Sequence, residues 1–195
     1  MDTKGSRKRV KRCADAKPQK RQNQRLKNKI QNNNINMKYY YLNEWFEVSN
    51  DRESVKNQYI SLLSQLTTAE DMSVEKFEES IGKICEMGDI VVCVSEAKIL
   101  GSNCEAINQK IVGSGTIIYE PKITHGGKSV GHIEDIIVDE PHRGYQIATE
   151  IIKKLTESAK INNCYKVILD CSPEIERYYE RRGFTKKGAY MAIYF

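Results

Sequence analysis

Hydrophobic positions change their spacing along this chain, and each change predicts an element. Tyr39-Tyr40-Tyr41-Leu42 and Trp45-Phe46-Glu47-Val48 read as extended apolar sequence. Apolar residues at 55, 59, 60, 62, 63 and 66 then follow a helical period. Ser73 offers an N-cap to a second helix with Val74, Phe77, Ile81 and Ile84 on one side. Ile90-Val91-Val92-Cys93-Val94 is a β-branched run and reads as a buried strand. Polar sequence over 101–110 turns the chain into a strand over 111–119, and Gly126-Gly127 marks the connection to a third strand over 131–138. After the breaker Pro141-His142-Arg143-Gly144, Ile147, Ala148, Ile151, Ile152, Leu155 and Ala159 make one helical stripe. Val167-Ile168-Leu169 reads as a buried strand, Ser172-Pro173 as a helix start, Gly183 as its end, and residues 189–195 as a final strand. Meander strands followed by β-α-β-α-β predict a single α/β domain over residues 39–195.

The pattern is absent before residue 39, and charge explains why. Residues 1–38 hold 13 Lys and Arg against Asp2 and Asp15, whereas residues 39–195 carry 18 basic and 24 acidic residues. The net charge of +5 is therefore a basic tail on a mildly acidic domain. With sparse apolar residues and a Gln/Asn-rich stretch, residues 1–38 read as disordered. The run KRVKR at 8–12 admits a polyanion-binding or nuclear-localisation role, but no aromatics interleave the charges, and a solvated extension is the favoured reading. Apolar residues at 39% and charged residues at 29% permit a real core and exclude whole-chain disorder. No apolar run nears the roughly 20 residues of a spanning helix, and the basic start lacks the apolar centre of a secretory signal. The six cysteines form no C-x-x-C pair and no cluster with His, so reduced, packed thiols in a cytoplasmic protein are expected.

Three segments carry candidate chemistry. In His132-Ile133-Glu134-Asp135-Ile136-Ile137-Val138, alternation sends Glu134 to one face of a strand and Asp135 to the other, each among isoleucines. A central strand rarely tolerates an unpaired acid, so either one acid is salt-bridged and the other sits at an open strand end, or both serve a substrate at a split in the sheet. Arg143-Gly144-Tyr145-Gln146-Ile147-Ala148 is a turn opening a helix, whose free N–H groups and dipole suit a phosphate, though such turns are common. Asp170-Cys171-Ser172 ends a strand ahead of Tyr178-Tyr179. Adjacent tyrosines on a helix point about 100° apart, so one can pack while the other reaches a crevice.

In this order the segments resemble a GNAT-superfamily acetyltransferase. GHIEDIIV at 131–138, CYKVILDC at 164–171, YYERRGF at 178–184 and the terminal MAIYF resemble in particular the glucosamine-phosphate N-acetyltransferase family, from about Val55 to Phe195. The resemblance implies an α/β GNAT fold: one mixed, mostly antiparallel twisted sheet, split at the acetyl-CoA site and flanked by helices. It implies transfer of acetyl from acetyl-CoA to the amine of D-glucosamine 6-phosphate, in UDP-N-acetylglucosamine biosynthesis, with no metal. Ile136, Ile137 and Val138 would line the acetyl-CoA arm, while Arg143, Gly144, Tyr145, Gln146, Ile147, Ala148 and Thr149 would cradle the pyrophosphate. Asp170 would lie between cofactor and sugar, and Tyr179 beside the cofactor sulfur. Thr67, Lys122, Ile123, Thr124, His125, Glu134, Asp135, Ile136, Tyr165 and Lys166 would bind the sugar phosphate. The last strand would exchange across a homodimer, bringing Tyr194 to the partner's site; no membrane or nucleic acid is expected. The chain departs from the family where Gln146 replaces a usual glycine and Tyr194 a frequent basic residue, so the pyrophosphate loop must accommodate a side chain.

The chemistry then requires a base, because an ammonium has no lone pair. Glu134, through water, suits that role; N–H groups of a bulged strand would stabilise the thioester oxygen, and Tyr179 would protonate the departing thiolate. Two other classes compete: a GNAT enzyme acting on another small amine or a peptide, and a non-catalytic module binding CoA or nucleic acid. Lys122, His125 and Lys166 argue for an anionic substrate, and a binding module needs neither Glu134 nor Tyr179.

Overall fold

The computed structural model describes residues 35–100, 105–189 and 191–193. Residues 1–34 of the expected disordered tail lie outside them, as do Cys13, Cys104 and Tyr194. Residues 35–38, also expected in the tail, instead begin the first strand, where Met37 packs on the core. Five strands, β1 (Ile35–Tyr41), β2 (Gly88–Leu100), β3 (Glu105–Pro121), β4 (Ser129–Val138) and β5 (Cys164–Leu169), form one sheet in the order β1-β2-β3-β4-β5. β2, β3 and β4 are antiparallel neighbours, whereas β4 and β5 are parallel and need a crossover. Helix α4 (Ile147–Ile161) supplies it; α1 (Leu42–Val48), α2 (Arg52–Leu63) and α3 (Val74–Cys85) precede β2, and α5 (Glu176–Glu180) follows β5. This is the mixed, mostly antiparallel sheet with flanking helices that was expected.

Both faces of the sheet are covered. Leu42, Phe46, Tyr59, Leu62, Phe77 and Ile81 pack on Ile90, Val92 and Val94 on one side. Ile147, Ile151, Ile152 and Leu155 of α4 pack with Val91, Cys93, Val112 and Ile117 on the other. The period of two along β2 divides its residues between these layers, and each large side chain so buried contributes about 1.5–3 kcal/mol. Asp51 and Ser73 cap α2 and α3 by accepting from the N–H groups of Ser54 (2.9 Å) and Lys76 (3.2 Å). Close approach of α4 to β3 depends on glycine: a Cβ at Gly115 would lie 2.4 Å from Ile136 Cδ1 and 2.7 Å from Ile151 Cγ2.

Several expectations are corrected. Trp45-Phe46-Glu47-Val48 belongs to α1 and is not extended; spacing of i and i+4 turns Leu42 and Phe46 into the core, and burial selects between periods that a short apolar run satisfies equally. β2 and β3 run beyond their apolar centres because pairing continues through polar residues, with Gln109 donating to Glu96 at 2.9 Å. The polar segment over 101–110 is thus partly strand. Ser172-Pro173 opens a 3-10 turn, Pro173–Ile175, before the helix. β5 is an edge strand, not a buried one, with Lys166 and Ile168 exposed. The described part of the expected final strand, Ala189 and residues 191–193, lies in no strand, and Met191 is 91% exposed. A strand exists by virtue of its ladder, and no described residue offers this segment one. No helix among the described residues is long and apolar enough to cross a membrane.

Candidate active site

The ladder between β4 and β5 ends at Ile133 opposite Leu169, while β4 stays paired with β3 as far as Val138 opposite Gly113. The carboxyl ends of two parallel strands therefore part where Glu134 and Asp170 stand, the usual place for a ligand in an α/β sheet. On its other edge β4 slips register: Ser114 opposes Ile137 and Thr116 opposes Glu134, leaving Gly115 against both Asp135 and Ile136. This is a β-bulge, which takes backbone groups out of the ladder. Asp135 has a φ of 53°, a left-handed conformation that Asp tolerates better than most residues. The bulge corrects the expected alternation, since Glu134 and Asp135 are both exposed rather than set among isoleucines on opposite faces.

Among the described residues none of the ion pairs takes in Glu134, Asp135 or Asp170. Partial desolvation lifts the Glu134 carboxyl above its ordinary pKa, the charges of Asp135 and Asp170 add to the shift, and His132 opposes it. Three acids at one strand split make Glu134 a stronger base than a free glutamate. Below the bulge Ser114 donates to the hydroxyl of Tyr59 at 3.2 Å. Both are buried, and burial pushes Tyr59 up to about 12. Sequence reasoning placed Tyr59 on the helix's apolar side and missed this polar contact, which spacing alone cannot reveal.

β4 leads through a loop into α4. Arg143 folds back, its Nε donating to the Val138 carbonyl at 3.2 Å. Gly144 has a φ of 90°, and a Cβ there would meet nothing within 4 Å, so open space lies beside the loop. Gln146 stands at the N-cap with φ 63° and ψ 13° and makes no side-chain cap bond. The glutamine is accommodated by adopting the left-handed backbone that glycine takes without cost. With no side-chain cap, the first N–H groups of α4 are left for an anion, and with the helix dipole and Arg143 they fit a pyrophosphate.

Tyr179 is 9% exposed. Its ring meets Tyr178 edge-on at 5.2 Å and Phe184 at 5.9 Å. Burial raises its pKa, Tyr178 and Cys171 add, and Arg182 opposes, so the phenol is neutral and carries a proton. With Asp170 and Cys171 it lines a cleft of about 730 Å³ along β5. Tyr179 is the more buried of the pair, so both rings pack: Tyr178, half-buried, has the Arg182 guanidinium 3.3 Å from its ring centroid. Arg182, a residue sequence reasoning passed over, also donates to Thr149 Oγ1 and so ties α5 to the first turn of α4. Burial raises the Cys171 thiol, which makes it a poor nucleophile.

Of the residues expected at the sugar phosphate, His125, Tyr165 and Lys166 form a second group. His125 stacks on Tyr165 at 3.9 Å, and Lys166 Nζ lies 5.5 Å from the same ring. Lys122 pairs with Glu120, which also meets His132 Nε2 at 2.9 Å. Ile123 is fully exposed, Thr124 is exposed, and Thr67 lies exposed just past α2, its N–H donating to Leu63 at 3.1 Å. Tyr165 and Asp170 stand five residues apart on extended chain, about 16 Å at roughly 3.3 Å per residue. One chain therefore brings Glu134, Asp135 and Asp170 to the strand split, and His125, Tyr165 and Lys166 to the opposite end of β5.

The acetyltransferase (GNAT) family model matches residues 86–184, a span containing the bulge, the helix turn and Tyr179. The glucosamine 6-phosphate N-acetyltransferase of Arabidopsis thaliana is 35% identical over 150 residues, covering 76% of this chain and 93% of the relative. That of Candida albicans is 35% identical over 139 residues, covering 71% of this chain and 88% of the relative. The crystal structure of glucosamine-6-phosphate N-acetyltransferase from Arabidopsis thaliana superposes with a TM-score of 0.65 at 29% identity, covering 82% of this chain and 99% of that one. A bulged strand parted from its parallel neighbour, with that identity across most of both chains, places this chain in the glucosamine 6-phosphate N-acetyltransferase family of GNAT acetyltransferases.

Proposed function

We propose that this chain transfers the acetyl group of acetyl-CoA to the amine of D-glucosamine 6-phosphate, giving N-acetyl-D-glucosamine 6-phosphate and CoA by direct attack in a ternary complex. The observation that carries the reading is the strand split, with Glu134 and Asp170 at its mouth and the open turn of α4 beside it. The family relatives supply the substrate.

GNAT-fold acetyltransferases use acetyl-CoA, which supplies an activated acyl carbon when bound. Arg143 and the first N–H groups of α4 would hold its pyrophosphate, and the backbone of Ile136, Ile137 and Val138 its arm. Glu134 takes a proton from the sugar ammonium through water, and Asp135 and Asp170 keep it basic. Backbone N–H groups freed by the bulge donate to the thioester oxygen. As the new C–N bond forms and the C–S bond breaks, Tyr179, neutral and protonated, gives its proton to the departing sulfur. It regains one from the second proton that the nitrogen sheds on becoming an amide.

Lys122, His125, Tyr165 and Lys166 suit the sugar phosphate, with Ile123 and Thr124 on the same loop, whereas Thr67, just past α2, would reach it from beside the cofactor loop. The length of β5 between Tyr165 and Asp170 supports a homodimer in which one chain's phosphate group serves its partner's acids and the terminal strand, with Tyr194, exchanges. The apolar free edge at β5, with Ile168 exposed, fits such an addition. The free thiols Cys85, Cys93, Cys164 and Cys171 accord with a reducing cytoplasm.

Release of CoA thiol measured with glucosamine 6-phosphate, glucosamine and a peptide amine tests the reading. Turnover favouring the phosphorylated sugar supports it; turnover favouring the peptide, or none with any amine, overturns it.

A further inference from the structure

Asp139 is the first residue after β4, and at 4% exposure it is a buried acid that the mechanism does not use. A carboxylate there is costly unless donors surround it. Three do, from three parts of the fold: Lys110 Nζ of β3 at 2.8 Å, Gln65 Nε2 beyond α2 at 2.9 Å, and His142 Nδ1 of its own loop at 3.1 Å. Burial pushes the acid's pKa up, but Lys110, Gln65 and His142 together bring it below the usual carboxylate value, so it is charged. Its own N–H donates to the Val112 carbonyl at 2.9 Å. Gln65 grips the loop twice, because its Oε1 also accepts from the N–H of Glu140 at 3.3 Å. Asp139 and Glu140 begin the loop that reaches Arg143, Gly144 and α4.

Gln65 is itself held by the end of α2. Its N–H donates to Leu62 at 3.1 Å, that of Leu66 to Leu63 at 2.8 Å, and that of Thr67 to Leu63 at 3.1 Å. The segment carrying Thr67 is therefore braced by hydrogen bonds and fastened at Gln65 to the start of the cofactor loop. An interaction that spans two binding segments is strengthened when either is ordered by its ligand, and the resulting coupling is reciprocal.

We propose that Gln65 and Asp139 are positioning residues whose paired hydrogen bonds hold the cofactor loop and couple acetyl-CoA binding to the sugar-phosphate segment at Thr67. The inference rests on the functional reading above. Neither residue touches a reacting atom. Lys110 and His142 complete the acid's shell.

The test is calorimetric titration of the full chain with CoA alone, then with glucosamine 6-phosphate in the presence and absence of CoA. Gln65→Ala is expected to weaken CoA roughly fivefold or more and to abolish any enhancement of sugar-phosphate binding by CoA. The exchanged pair, Gln65→Glu with Asp139→Asn, restores a donor–acceptor contact and an acceptor for the Glu140 N–H, and is expected to recover most of the CoA affinity. Thermal unfolding identifies any variant that fails to fold, and hydrogen exchange at the Glu140 amide, expected to quicken in Gln65→Ala, reads the bridge without ligand. A folded Gln65→Ala chain with wild-type CoA affinity overturns the bridge while leaving the functional reading intact. A wild-type chain that binds no CoA overturns the functional reading and the coupling with it, whereas the Glu140 amide still reports the bridge.

Discussion

Ile133 and Leu169 form the last rung joining β4 to β5, and each is followed at once by an acid, Glu134 and Asp170. The rung sets how far apart the two carboxylates stand, and their mutual repulsion contributes to the raised pKa of Glu134. The active form of a base is the unprotonated one. Turnover should therefore fall as pH drops through the pKa of Glu134, at a pH above that of an ordinary glutamate. Asp170→Asn removes a charge that raises this pKa, so the acid limb of kcat/KM should move to lower pH. Glu134→Gln should lower turnover by about 10²–10⁴-fold and erase that limb. An acid limb in Glu134→Gln identical to that of the wild type would assign the base elsewhere.

Tyr179→Phe keeps the buried ring and removes only the hydroxyl. Turnover should fall by about 10²-fold or more, with little change in acetyl-CoA affinity. Tyr178→Phe is the control, because Tyr178 packs under Arg182. Single-turnover measurements decide the matter; equal losses at both positions would mean that packing, and not proton donation, is being read.

Gln146 holds a left-handed backbone that costs a non-glycine residue about 1–2 kcal/mol. Gln146→Gly relieves that strain, offset in part by the greater freedom of glycine in the unfolded chain. The melting temperature should rise by up to about 4 °C. CoA affinity should hold or improve, since the amides of α4 need no side chain at this position. Weaker CoA binding in Gln146→Gly, matched in Gln146→Ala, would show instead that the glutamine amide donates to a phosphate.

The motifs all lie beyond residue 66, and the basic excess lies before residue 39. Removing residues 1–34, which spares β1, should leave turnover and both Michaelis constants within about twofold of the full chain. Loss of activity in a folded truncation would give the tail a catalytic role.

Long periodic segments were legible in the sequence. The stripe from Ile147 to Ala159 makes a helix wherever it is packed, because its apolar residues can be buried together only at that period. Ser73 as a cap and the β-branched centre of β2 are equally local in origin. Trp45-Phe46-Glu47-Val48 was misread because four apolar-rich residues satisfy two periods, and only the core beside them chooses. The terminal segment is in no strand where it is described within one chain, for the complementary reason that strand pairing belongs to a partner segment and not to the residues themselves.

At the candidate site the division is sharper. Residue types and order around Glu134, Arg143, Asp170 and Tyr179 were enough to suggest an acetyltransferase, since base, anion-binding turn and acid each have a local signature. The bulge was expected only through the resemblance, and residue pattern did not place it at Asp135, because it arises from register against Gly115 on another strand. Nor were the grip of Gln65 on Asp139 or that of Arg182 on Thr149, which join residues distant in sequence through side chains that have no period. Local chemistry and periodicity are written along the chain; register, distance and the partners of buried polar groups depend on how separate segments meet, and only the tertiary structure decides them.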